Sequence, residues 1–168
     1  YHVSARLLAE TGALHQRSAD PLAYVGNLWL LTPEGDFYPK YPPFYPALAA
    51  AVELLCGGSA GLYVTPVCAW LAVLFTYLAA RALLPGWAAV VAAGCLATGP
   101  VFNSLAIDQI AHAPSVAALT ASFALLFWSA RGRGGLASSA GSGFLLGCAA
   151  GVRYTDVLLA LPGLVWFA

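Results

Sequence analysis

The chain has 168 residues, of which 61% are hydrophobic and 8% charged, and its seven basic and seven acidic side chains balance to a formal net charge of zero. A soluble globular domain carries about 25% charged residues, so this composition belongs to a protein whose solvent is largely lipid. Neutrality also excludes the basic footprint of a nucleic-acid-binding protein.

The chain contains no methionine, opens on Tyr1 and closes on Trp166-Phe167-Ala168 inside an apolar run. These ends read as cuts in a longer protein, and the start lacks the pattern of a cleavable signal peptide. Cys56, Cys68, Cys95 and Cys148 are widely spaced, with no CxxC pair or zinc-type Cys/His cluster, and read as small apolar side chains in helices.

Residues 1–45 form the only extended polar region. Val3, Leu7 and Leu8 recur at helical spacing with Arg6 and Glu10 around them. This predicts a short amphipathic helix on the membrane surface, stopped at Thr11-Gly12. Ser18 to Asp36 is turn-rich, punctuated by Asp20-Pro21, Thr32-Pro33 and Glu34-Gly35. Next comes an aromatic and proline box with one cation, Phe37-Tyr38-Pro39-Lys40-Tyr41-Pro42-Pro43-Phe44-Tyr45-Pro46. Its prolines fix φ and restrict the residue before them, which predicts a stiff, extended surface. Its rings suit a membrane–water interface.

Residues 46–168 read as the membrane region. Phe44 to Cys56 is apolar, holds Glu53 and is shorter than the roughly 20 residues a span needs, so it reads as an interfacial or re-entrant helix stopped by Gly57-Gly58. Spans are predicted from Leu62 to Leu84, from Gly86 to Leu105 with a break at Gly99-Pro100, from His112 to Ala130 and from Leu136 to Val152. A fifth begins near Asp156 and runs to the end of the chain. The fold class predicted is therefore all-α: a polytopic transmembrane helical bundle with a first loop, outside the cytoplasm, that contains short juxtamembrane helices.

Charge placement orients the bundle. Arg81, Arg131 and Arg133 fall at one face, which carries no acid, while Glu10, Asp20, Glu34, Asp36, Glu53, Asp108 and Asp156 fall at the other. The positive-inside rule puts the three arginines in the cytoplasm and the first loop, the Asn103–Ala111 loop and the Arg153–Asp156 turn outside. Gly143, Gly147 and Gly151, four apart, predict a helix face that admits a neighbour closely.

Three groups could carry chemistry on the outer face. Lys40 is a point-charge phosphate binder among Tyr hydroxyls, although the box also suits a helix cap. Asp108 and His112, four apart, would share a helix face and could ligate a divalent cation or form an acid–base pair; Pro114 opposes this by marking a helix start. Arg153, at the end of a span, could grip a phosphate bidentately or simply pair with Asp156 three residues on. His2, Glu10, His15, Asp20, Glu34 and Asp36 show no spacing that singles one out. No P-loop, GxSxG, HExxH or dinucleotide fingerprint is present.

In their order, Tyr1-His2-Val3-Ser4-Ala5-Arg6-Leu7-Leu8, Thr11-Gly12, the box from Tyr38 to Pro46, Ile107-Asp108 before a span and Gly151-Val152-Arg153-Tyr154-Thr155 after one resemble a known family. The chain is similar to the amino-terminal membrane region of the GT-C polytopic glycosyltransferases, in the RgtA/B/C/D-like and protein-O-mannosyltransferase-like branch. The resemblance implies an integral protein of a bacterial inner membrane. Such a protein transfers a sugar from a polyprenyl-phosphate-linked donor to a glycan, lipid or protein acceptor outside the cytoplasm. It implies that Asp108 is the second acidic element, that Lys40, Tyr41 and Tyr45 contact the lipid carrier, and that Arg153 contacts its phosphate. It places the general base, or a metal-holding acid, just ahead of Tyr1, so residues 1–168 alone are expected to be inactive. The competing expectation is a transporter or lipid flippase whose proline-broken spans line a pathway.

Overall fold

The computed structural model describes residues 1–17, 29–57, 59–108 and 110–160. The chain divides into two units, Tyr1–Val64 and Thr65–Ala168. Each is described by itself.

In the amino-terminal unit, α1 spans His2–Thr11 and ends where the sequence predicts: Gly12 takes φ 71°, a left-handed conformation open to a residue without Cβ, and its amide bonds the Leu8 carbonyl at 2.9 Å. Helix α2 spans Phe44–Cys56, the predicted interfacial segment. Small residues let the two helices meet, since Ser4 and Ala5 of α1 and Ala49 and Ala50 of α2 are all buried. Towards the C-terminal end of α2, Leu54 and Leu55 are exposed. A short 3-10 helix, Ala60–Tyr63, follows.

The described residues on either side of positions 18–28 carry a small sheet that the sequence does not predict. Strands β1 (Gln16–Arg17), β2 (Trp29–Leu31) and β3 (Asp36–Pro39) form an antiparallel sheet in the order β1-β3-β2. Leu31 pairs with Phe37 and Leu30 with Tyr38, and Gln16 flanks Phe37 on the other side. The β2–β3 connection is Pro33-Glu34-Gly35, closed by the Thr32 amide on the Asp36 carbonyl at 2.9 Å. With Pro first and Gly35 at φ 89°, it has the three-residue hairpin geometry of a turn plus a left-handed glycine. Phe37 is buried and anchors the sheet, so the first part of the aromatic box is extended because it is a strand. The predicted turn at Asp20-Pro21 lies outside the described residues.

The second unit is helical: α3 (Val64–Leu83), α4 (Gly86–Thr98), α5 (Pro100–Ile107), α6 (His112–Ala130) and α7 (Gly135–Val152). Among the described residues three helical segments are long and apolar enough to cross a membrane: Ala60–Leu83, His112–Ala130 and Gly135–Val152. Helices α4 and α5 make a fourth if taken as one broken span, bent by 59°. The break falls at Gly99, which leaves helical geometry, and at Pro100, which lacks the amide needed to continue the ladder. The architecture is that of an all-α polytopic membrane protein with one small sheet in its amino-terminal unit. After Arg153 the chain turns into a 3-10 helix, Tyr154–Ala160, and the rest of the predicted fifth span lies outside the described residues.

Helices α6 and α7 form an antiparallel hairpin and the tightest packing of this unit. Ser122 Oγ donates to the Ser142 carbonyl at 2.8 Å, and the two hydroxyls lie 3.0 Å apart. A Cβ built on Gly141 would stand 3.1 Å from Leu125 Cδ1. The contact with α6 does not use the predicted face of Gly143 and Gly147. Gly143 and Gly147 are exposed with open space around them, whereas Ser142, Ala149 and Val152 are buried.

Candidate functional site

Arg153 is placed by the end of α7. The helix stops at Val152, and Arg153 takes extended geometry (φ −144°, ψ 112°) while its amide still bonds the Ala149 carbonyl at 2.8 Å. Its side chain is thereby turned to α6, where Nη1 donates to His112 Nδ1 at 2.7 Å. An arginine can only donate, so Nδ1 accepts and the imidazole proton sits on Nε2.

A second contact runs parallel to the first. Ser115, one helical turn beyond His112, donates its hydroxyl to Asp156 Oδ2 in a short hydrogen bond. Both residues are nearly inaccessible, at 1% and 5% exposure. In place of the local Arg153–Asp156 pair there are two rungs between the start of α6 and the segment after α7, His112–Arg153 and Ser115–Asp156. The backbone still links the turn, with the Asp156 amide on the Arg153 carbonyl at 2.9 Å. Helix α6 begins at His112 and carries Pro114 in its first turn, where a missing amide costs nothing.

Asp108 sits apart from these rungs in secondary structure. It caps the C-terminus of α5 in extended geometry (ψ 138°), and its carbonyl accepts from the Ile110 amide at 2.8 Å. Asp108 and His112 therefore do not share one helix face, which corrects that expectation. The Asp108 carboxylate is exposed and makes no hydrogen bond or ion pair among the described residues. As for a metal, no three His, Cys, Asp or Glu side chains gather as a ligand set among the described residues. With Nδ1 accepting from Arg153 and the proton on Nε2, His112 has no free lone pair to offer a cation, and the neighbouring guanidinium repels one.

In the amino-terminal unit the aromatic box is a built surface. Tyr45 is 2% exposed, and its ring meets Tyr1 edge-on with centroids 5.1 Å apart. Tyr41 lies 5.7 Å from the same Tyr1 ring and stays partly exposed. Tyr38 stacks on His15 at 5.2 Å. Lys40 is exposed and unpaired among the described residues. Glu53 is nearly buried beneath α1, with His2 Nδ1 3.8 Å from its carboxylate. The residue that sequence reasoning missed is Ser115, the partner of Asp156. Its only trace is a pair of polar side chains three apart at the start of one span, His112/Ser115, and another just after the end of the next, Arg153/Asp156.

Residues 40–168 match the family model described as dolichyl-phosphate-mannose-protein mannosyltransferase. No curated protein and no solved structure matches the chain.

Proposed function

The chain belongs to the dolichyl-phosphate-mannose-protein mannosyltransferase family, a family of membrane glycosyltransferases, and from that premise we propose that it moves a sugar from a polyprenyl-phosphate carrier to a hydroxyl acceptor at the extracytoplasmic face of the membrane. The bond between the anomeric carbon and the phosphate oxygen breaks, and one between that carbon and the acceptor oxygen forms. The acceptor proton passes to a carboxylate, and the bonding pair leaves with the polyprenyl phosphate.

The observation that carries this reading is the Arg153–His112 rung. It holds a guanidinium at the end of a span, and its remaining N–H groups suit the charge that develops on a leaving phosphate. Ser115 and Asp156 fix the turn that presents it, as positioning residues. Asp108, exposed and unpaired between α5 and α6, is the carboxylate we assign to orienting or deprotonating the acceptor. In the amino-terminal unit Lys40 is a free cation for a lipid phosphate, and Tyr41 offers a hydroxyl on a ring held against Tyr1 in a tilted contact. Tyr45, being buried, acts by holding Tyr1 rather than by touching carrier. The transporter alternative rests on the broken α4–α5 span alone, which a transferase accommodates equally.

The test is transfer from a radiolabelled polyprenyl-phospho-sugar by the protein in native membranes. Arg153→Ala is expected to lower turnover by about 10²-fold, as loss of one developing-charge donor does. Asp108→Asn should lower it by about 10²-fold or more without changing membrane insertion. Wild-type turnover by both variants sinks the assignment.

A further inference from the structure

At the end of the α6–α7 hairpin opposite Arg153, a second cationic feature has no role in sugar transfer. Tyr77, Leu78 and Arg81 of α3 face Trp128, Arg131 and Arg133 across a cavity of about 250 Å³. The walls are tied together, because the Trp128 indole N–H donates to the Leu78 carbonyl at 3.3 Å. The turn that carries two of the arginines is also fixed. The Arg131 and Arg133 amides both bond the Trp128 carbonyl, at 3.2 and 3.0 Å, and Ser129 and Ser139 join their hydroxyls at 2.7 Å.

Three guanidinium groups thus surround one cavity without a counter-charge. Among the described residues none of them meets a carboxylate, and Arg81 makes only a long contact, 3.5 Å, to the Leu84 carbonyl. The acids of residues 65–168 are Asp108 and Asp156, both at the Arg153 end. Like charges gathered at a low-dielectric edge repel, and a bound anion relieves the repulsion.

The depth of the cavity says where the anion comes from. Helix α6 has 19 residues, hence a length of about 28 Å, which matches a hydrocarbon core of about 30 Å. With Arg153 at one interface, Arg131 and Arg133 stand at headgroup level at the other, beside a Trp and a Tyr of the kind that line such interfaces. The same two helices, α3 and α6, also line an apolar cavity of about 310 Å³ walled by Leu83, Phe123 and Phe127. A charged cavity and an apolar one along one helix pair suit an ion that carries acyl chains.

We propose that this cavity is a binding site for the phosphate headgroup of an anionic glycerophospholipid of the cytoplasmic leaflet, separate from the transfer site. Native mass spectrometry of the full protein, released from micelles holding equal phosphatidylglycerol and phosphatidylcholine, tests it. Wild type is expected to retain phosphatidylglycerol at least about tenfold over phosphatidylcholine, and Arg81→Gln/Arg131→Gln/Arg133→Gln to bring the ratio near one. The matching triple Lys variant keeps the charge and should keep most of the preference, which separates lost binding from a damaged fold. Equal preference in wild type, or an undiminished one in the Gln variant, overturns the proposal. Displacement of phosphatidylglycerol by inorganic phosphate at equal concentration would assign the site to free phosphate and overturn the lipid assignment.

Discussion

Arg153 shows how one residue's placement depends on where a helix gives out. Its position at the end of an apolar segment is visible in the sequence, and a boundary arginine invites a functional reading. Its partner is not visible, because His112 lies 41 residues earlier on another helix. The same holds for Ser115 and Asp156. A buried carboxylate that loses its donor bears the full cost of desolvation, so Ser115→Ala is expected to destabilise the protein by about 1–3 kcal/mol. The check is thermal unfolding in detergent. Ser115→Ala/Asp156→Asn should cost less than the sum of the single variants, since both remove one interaction. Additive losses would show that the two side chains act independently.

At the scale of elements, the hairpin of α6 and α7 rests on small residues, but not on the ones whose spacing attracts the eye. Glycine at every fourth position records a missing Cβ and says nothing about which neighbour comes near. Close approach is made at Gly141, where Leu125 leaves little room, and Gly143 faces open space. Gly141→Val is therefore expected to cost about 1–3 kcal/mol through overpacking. Gly143→Ala should be neutral or stabilising by up to about 1 kcal/mol, from helix propensity. Thermal unfolding of the two variants decides between the faces, and a larger loss at Gly143 would reverse the assignment. The small sheet escaped sequence reading for a different reason. Its turn was legible in Thr32-Pro33-Glu34-Gly35, but strands of two to four residues are too short to show alternation.

At the scale of the whole molecule, the question is which ends face which compartment. Within the second unit the cations Arg81, Arg131 and Arg133 gather at one end and the His112–Arg153 rung lies at the other. We propose, from the positive-inside rule, that the arginine cavity faces the cytoplasm and the proposed transfer site faces outward. In a background with the four native cysteines replaced, Lys40→Cys is expected to react with a membrane-impermeant maleimide on intact cells. Arg131→Cys should react only after permeabilisation. The reverse pattern would invert the topology and, with it, the compartment of both proposed sites.

The sequence by itself determined the class of protein, the bounds of α2, α6 and α7 to within a residue, the break at Gly99-Pro100 and the family resemblance. Each of these follows from local quantities: apolar length against bilayer thickness, proline and glycine chemistry, and the sign of charge at span ends. Only the tertiary structure decided that Arg153 turns to His112 and not to Asp156, that Asp108 caps α5 instead of sharing a face with His112, that Tyr45 is buried under Tyr1, and that three arginines enclose a cavity. Those outcomes depend on residues far apart in the chain, and pairing between antiparallel helices is set by which small side chains let two backbones approach.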